Sequence, residues 1–152
     1  MISNKNILIA QGGGPTNVIN MSLVSIIQEE KKLKSSVIGS LNGVNGIINN
    51  NFVNLNKISK NDLKIISQTP GAALGSTRDK PDKKYCLEIL KVLKRKKISK
   101  FYYIGGNDSS DSLRIISEYA RKIEYDVQCI HIPKTIDNDL VSNDHTPGFG
   151  SA

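Results

Sequence analysis

The chain has 152 residues, 38% hydrophobic and 23% charged, with a formal net charge of +7. These are the proportions of one globular domain long enough to bury a core. No apolar run approaches the roughly 20 residues of a membrane span, and the first residues lack a secretory signal's charged-then-apolar pattern, so a cytoplasmic protein with no membrane partner is expected. The cations do not read as a nucleic-acid surface, because Lys31, Lys32 and Lys34 close one helical segment and Lys91, Lys94, Arg95, Lys96 and Lys97 another. There they complement the helix dipole, and no aromatic side chains interleave with them as stacking platforms.

In chain order, Ile7 to Ala10 is a first apolar run, followed from Thr16 by Ile19, Leu23, Ile26 and Ile27 at helical spacing. A second run, Val37 to Leu41, leads into an Asn-rich patch, Asn42 to Asn56. That patch reads as a loop or short hairpin between layers, whose Asn and Lys load is expected to reflect genome composition more than design. Ser59 with Asp62 forms a capping box, with Ile58 and Leu63 as a hydrophobic staple. After Pro81 and Asp82, the residues Cys86, Ile89, Leu90 and Leu93 share a helical face. Phe101 to Ile104 is a third run, and Leu113, Ile116, Ala120 and Ile123 mark the last helix. Val127 to Ile132 is the fourth run. Cys86 and Cys129 have no metal-ligand spacing and are too few for a disulfide framework, so both read as buried thiols.

The four runs are nearly continuous and mostly β-branched or aromatic, which predicts strands buried on both faces. Strand and helix alternate, so the class is α/β with a doubly wound parallel sheet. The closing residues Thr146 to Ala152 have the form of a turn that opens a further helix. The expectation is that residues 1–152 are the N-terminal part of a longer protein.

In open parallel sheets, ligands bind beyond the carboxyl ends of the strands, and three of these ends carry unusual loops. After the first run, Gln11-Gly12-Gly13-Gly14-Pro15-Thr16-Asn17 leads straight into a helix. Gly13 and Gly14 let the backbone approach an anion, and the helix terminus offers free N–H groups. The spacing is neither a Walker A loop nor the dinucleotide fingerprint, and a tight strand-to-helix turn is an equal alternative. After the third run, Gly105-Gly106-Asn107-Asp108-Ser109-Ser110-Asp111 also opens a helix. Asn107 and Asp108 could hold phosphate oxygens and magnesium, whereas Asp111 reads as an ordinary N-cap. After the fourth run, Lys134, Thr135, Asp137 and Asp139 place one cation, one hydroxyl and two carboxylates within six positions. That set suits metal-assisted phosphoryl transfer, although an Asp- and Asn-rich surface turn has the same composition. Between the second and third runs, Thr69 to Arg78 is a small-residue loop in which Arg78 could supply a bidentate phosphate contact. His131 reads as a packed or edge histidine rather than a base.

Four of these segments, GGGPTN, LGSTR, GGNDS and PKTIDND, occur in this order and resemble the phosphofructokinases. The resemblance covers essentially the whole chain, which corresponds to the N-terminal half or less of such an enzyme. It implies a Rossmann-like three-layer domain, residues 1–152, that binds the phosphoryl donor in a glycolytic kinase acting on fructose 6-phosphate. It implies that Asp137 takes the proton from the sugar 1-hydroxyl, that Thr135 and Asp139 contact that end of the sugar, and that Gly13, Gly14, Gly106, Asn107 and Arg78 hold the donor phosphates. Asp108 falls in the Mg²⁺ loop. ATP-dependent members have Gly-Gly-Asp-Gly in place of Gly105 to Asp108, and glycine in place of Lys134. On that resemblance a carboxylate at Asp108 would crowd and repel a nucleotide's α-phosphate, whereas Lys134 would neutralise a terminal phosphate of pyrophosphate. The resemblance therefore favours pyrophosphate over ATP, although many pyrophosphate-dependent members have Asp in place of Asn107. The sugar-phosphate contacts of the family come mostly from a C-terminal half and from neighbouring subunits. A homo-oligomer is implied for the full-length protein, and residues 1–152 alone are expected to be inactive.

Overall fold

The structure, a computed structural model, describes residues 5–146. Five strands, β1 (Asn6–Gln11), β2 (Ser36–Ser40), β3 (Phe52–Asn54), β4 (Ile98–Gly105) and β5 (Gln128–Pro133), form one sheet in the order β3-β2-β1-β4-β5. β2, β1, β4 and β5 run parallel, and only β3 is antiparallel, pairing with β2. The helices are α1 (Asn17–Lys32), α2 (Gly43–Ile48), α3 (Lys60–Gln68), α4 (Lys83–Arg95) and α5 (Asn107–Lys122).

β1 shows why the sheet is covered twice. Its side chains alternate, so Ile7 and Ile9 enter one core with Ile19, Leu23 and Ile27 of α1 and Leu63 of α3. Leu8 and Ala10 enter the other core, with Ile89 and Leu93 of α4 and Leu113 and Ile116 of α5. A strand flanked on both faces by helices must be apolar through its middle, and Ile7 to Ala10 are; the polar Asn6 and Gln11 stand at its two ends. The result is the doubly wound α/β arrangement read from the alternation of elements, in the three layers that the resemblance implies.

The chain leaves β1 toward β2 and later returns to the far side of β1 as β4. The carboxyl ends of β1 and β4 are therefore the point where connections diverge and a crevice opens. The Gly12 amide donates to the Ile104 carbonyl at 2.8 Å, tying the two strand ends together.

Three expectations need correction. The Asn-rich patch is neither a bare loop nor a plain hairpin, for it holds α2, β3 and a 3₁₀ turn at Leu55–Lys57. Its asparagines have structural work, not mere compositional origin. Asn42 takes left-handed backbone with φ 59°, and Asn56 accepts from the Val37 amide at 2.6 Å and donates to the Ser35 carbonyl at 2.9 Å. β5 is not buried on both faces, because it is the sheet edge among the described residues and its side chains are only partly covered. For the same reason Cys129 is half-buried, while Cys86 is buried as expected. Burial pushes both thiols up to about 11, which keeps them protonated and inert. The turn at the chain's end lies outside the described residues apart from Thr146.

Candidate active site

α1 and α5 both begin at the crevice, so two helix amino termini face it. Gly13 sits at φ 74°, a conformation glycine takes freely. A side chain at Gly12 would come within 2.7 Å of the Tyr103 ring and 2.9 Å of Ser109 Oγ. The glycines thus let β1 and β4 close up beneath the crevice. Thr16, the N-cap of α1, is 6% exposed, and its hydroxyl has no hydrogen-bond partner among the described residues.

At the start of α5 the structure revises the reading of the caps. Gly106, not Asp111, is the N-cap, and a glycine has no side chain to spend on capping. Asn107 and Asp108 are therefore the first two helical residues and point their side chains elsewhere. Asp111 instead accepts from Arg114 at 2.9 Å within the helix. Asn107 Nδ2 reaches across to Asp139 Oδ2 at 3.5 Å, and the Asp139 carboxylate also accepts from Thr135 Oγ1 at 2.6 Å. The diglycine bend and the acidic turn therefore meet across one crevice. The Asp137 amide closes its turn by donating to Thr135 Oγ1 at 3.4 Å, leaving the Asp137 carboxylate exposed. Asp108 is exposed too, with Lys80 Nζ at 3.4 Å.

Lys134 differs from every other cation of the cleft. It is 2% exposed, and its ammonium donates to the Gly14 carbonyl at 2.5 Å. No carboxylate pairs with it among the described residues. Burial lowers its pKa below the usual 10.5. A desolvated charge without a counter-ion is costly to keep, and an anion arriving beside it is correspondingly favoured.

All ten residues singled out in the sequence (Gly13, Gly14, Arg78, Gly106, Asn107, Asp108, Lys134, Thr135, Asp137 and Asp139) line a single cleft of about 320 Å³. His131 does not, for its ring donates to the Gly105 carbonyl at 2.7 Å and fastens β5 to β4. Sequence reasoning missed Thr77, Asp79, Lys80, Tyr103, Ser109 and Ile136, which share the same lining. Lys80, two positions past Arg78, carried a readable signal; Tyr103 looked like any strand aromatic. Burial pushes the Tyr103 phenol up to about 12, so it lines the cleft as a neutral donor. Among the described residues, no three His, Cys, Asp or Glu side chains converge to hold a metal unaided.

A crevice at a sheet's switch point, flanked by two helix amino termini and floored by an unpaired ammonium, defines a doubly wound α/β protein able to accept an anion. The model of the phosphofructokinase family matches residues 6–152, and the chain belongs to that family. It is 56% identical over 148 residues to a pyrophosphate–fructose 6-phosphate 1-phosphotransferase of Rhodospirillum rubrum, covering 96% of this chain and 37% of that protein. A protein of the same name from Xanthomonas campestris pv. campestris is 39% identical over 156 residues, covering 99% of this chain and 37% of the other. The fold superposes on a pyrophosphate-dependent phosphofructokinase from Nitrosospira multiformis with a TM-score of 0.89 at 34% identity, covering 97% and 38% of the two chains. The chain thus spans little more than a third of the length of the relatives it matches.

Proposed function

We propose that this chain forms the phosphoryl-donor side of a site that makes fructose 1,6-bisphosphate from fructose 6-phosphate, with inorganic pyrophosphate as donor. The observation that carries this reading is Lys134, a buried ammonium without a carboxylate partner on the floor of the cleft. A compact, highly charged anion offsets that charge better than a nucleotide's spread-out phosphates, and both relatives compared by sequence bear pyrophosphate in their names.

In this reading the amides near Gly13, Gly14 and Gly106, with Asn107, Arg78 and Lys134, hold the donor. The Asp137 carboxylate takes the proton from the sugar 1-hydroxyl as that oxygen attacks the terminal phosphorus. The bridging P–O bond breaks and inorganic phosphate leaves. Lys134 and the backbone amides stabilise the charge that shifts during transfer. Thr135 and Asp139 brace the turn that carries Asp137. Magnesium fits the donor set, because it commonly binds one or two carboxylates together with substrate phosphates. Asp108 would hold it there, supplying neutralisation of the donor's charge. In this reading, contacts to the far end of the sugar phosphate would come from residues outside this chain, as the resemblance implies. Residues 1–152 alone should then bind donor without turnover.

The test is a coupled aldolase assay on the full-length protein that carries this chain, with pyrophosphate and ATP compared at matched magnesium. Pyrophosphate should support turnover and ATP should not; the reverse would overturn the donor assignment. Asp137→Asn should lower kcat by about the 10²–10⁴-fold typical of a lost general base. An unchanged kcat would remove Asp137 from that role.

A further inference from the structure

Gln11 and Asn20 take no part in the chemistry above, yet both are buried polar amides, 0% and 1% exposed. They flank the glycine loop, one at the end of β1 and the other in α1. Every polar atom of the pair is engaged. Gln11 Nε2 donates to the Ile19 carbonyl and to Asn20 Oδ1, each at 3.2 Å. Gln11 Oε1 accepts from the Leu74 amide at 2.9 Å. Asn20 Oδ1 accepts from the Ala73 amide at 2.7 Å, and Asn20 Nδ2 donates to the Thr69 carbonyl at 2.9 Å. Three of these bonds reach one segment, the small-residue loop that ends in Arg78.

The loop is held again at its other end. The Gly13 amide donates to the Thr77 carbonyl at 2.9 Å, and Ser76 Oγ donates to the Gly13 carbonyl at 2.5 Å. So the backbone beside Arg78 is bonded to the glycine that lines the cleft, and the stretch before it is bonded to the two residues flanking that glycine loop. A loop this poor in large side chains has few apolar contacts of its own to fix it, with Leu74 its main buried one. Its place is set by hydrogen bonds to these two amides, which in a buried setting are expensive to leave unmade.

We infer that Gln11 and Asn20 are positioning residues, a paired-amide clamp that sets where Arg78 meets the donor phosphates. The inference rests on the reading of the cleft as a pyrophosphate site, and deepens it. Neither amide touches the donor. They act by joining the glycine loop and the Arg78 loop into one rigid cradle, so that the two sets of phosphate contacts keep a fixed separation.

The experiment is a double-mutant cycle in the full-length protein that carries this chain, using Asn20→Ala, Arg78→Ala and the double variant. The readouts are KM for magnesium pyrophosphate, KM for fructose 6-phosphate and kcat. Asn20→Ala should raise the donor KM by at least about tenfold, within the roughly 10²-fold cost of a misplaced group. The sugar KM should stay within about twofold. The double variant should be no worse than Arg78→Ala, because an unclamped arginine has little left to lose. Fully multiplicative effects would overturn the clamp. Glu30→Gln, far from the cleft, is the control for mere loss of stability: it should leave the donor KM unchanged, and an equal rise there would overturn the inference. Should Asn20→Ala not fold, hydrogen exchange of the unsubstituted protein decides. The Ala73 and Leu74 amides should exchange far more slowly than neighbouring loop amides, and equal rates would refute the clamp. An unsubstituted protein inactive with pyrophosphate would instead overturn the donor assignment and leave the exchange result to judge the clamp.

Discussion

Lys134 concentrates in one side chain the tension between folding and binding. Desolvation lowers its pKa from the usual 10.5, so the folded, ligand-free protein holds this proton less tightly than the unfolded chain does. Stability therefore rises with pH between the lowered folded value and the ordinary one, as the burden of a buried charge is lifted. Binding has the opposite sign. A phosphate beside the ammonium favours the charged form, so donor affinity should be full below the lowered pKa and fall as pH rises through it. Titration of magnesium pyrophosphate across alkaline pH should show that fall begin below pH 10.5, and an affinity flat up to that point would contradict the assignment. Lys134→Met keeps the length and removes the charge. It should abolish measurable donor binding while leaving the thermal midpoint equal or higher, as expected where a residue is kept for function at a cost in stability. A clear drop in the midpoint would make the bond to the Gly14 carbonyl a structural pin instead.

At the scale of elements, helix beginnings and helix ends obey different rules in this chain. Asp82 caps α4 by accepting from the Tyr85 amide at 2.8 Å, and Ser59 caps α3 by accepting from the Asp62 amide at 3.1 Å. The box at Ser59 is not the reciprocal kind, since the Ser59 hydroxyl also donates to the Asp62 carboxylate at 2.7 Å. The ends carry no glycine. After α1 the Ser35 amide donates to the Glu30 carbonyl and the Lys34 amide to the Lys31 carbonyl; after α5 the Tyr125 amide donates to the Ala120 carbonyl and the Glu124 amide to the Arg121 carbonyl. These are Schellman closures, and their left-handed positions are filled by Lys34 at φ 57° and Glu124 at φ 51°. Glu124→Gly should relieve left-handed strain and remove an anion from a helix carboxyl end, raising stability by roughly 1 kcal/mol. Chemical denaturation would measure it, and a loss of stability would show that glycine's entropy outweighs the strain. The same closures explain what was legible. Long helices announced themselves by apolar spacing and by terminal lysines. The six-residue α2 did not, because it shows little more than one turn of pattern and its flanking signals are asparagines in left-handed backbone. Most of the cleft-lining residues were legible because glycines and polar or charged residues cluster locally after β1, β4 and β5. Gln11 and Asn20 were not, since their partners at Thr69, Ala73 and Leu74 lie far along the chain and only the fold brings them together.

For the molecule as a whole, cleft and stability are separated along the strands. The cleft occupies the carboxyl ends, while toward the other end a buried polar group locks α1 to the sheet. Glu30 falls on the apolar stripe of α1, three residues past Ile27, and is 2% exposed. Its carboxylate accepts from Lys100 Nζ at 2.7 Å, Tyr102 Oη at 2.7 Å and Ser35 Oγ at 2.8 Å. Burial alone would push this carboxyl up, but the bonds from Lys100, Tyr102 and Ser35, with the Lys100 charge, outweigh it and hold the pKa below the usual 4.5. The folded state thus releases this proton more readily than the unfolded chain. Its contribution to stability is complete above pH 4.5 and is lost as pH falls through the lowered folded value. Glu30→Gln puts an uncharged amide against the Lys100 ammonium and two hydroxyls. At pH 7 it should cost roughly the 3–5 kcal/mol of a broken buried pair. Below the folded pKa the native protein has itself neutralised Glu30, so the gap between the two proteins should narrow as pH falls through that range. Urea denaturation of both proteins from neutral to acid pH measures the gap. A gap that stayed constant with pH would mean that Glu30 stabilises the fold through packing and not through its charge.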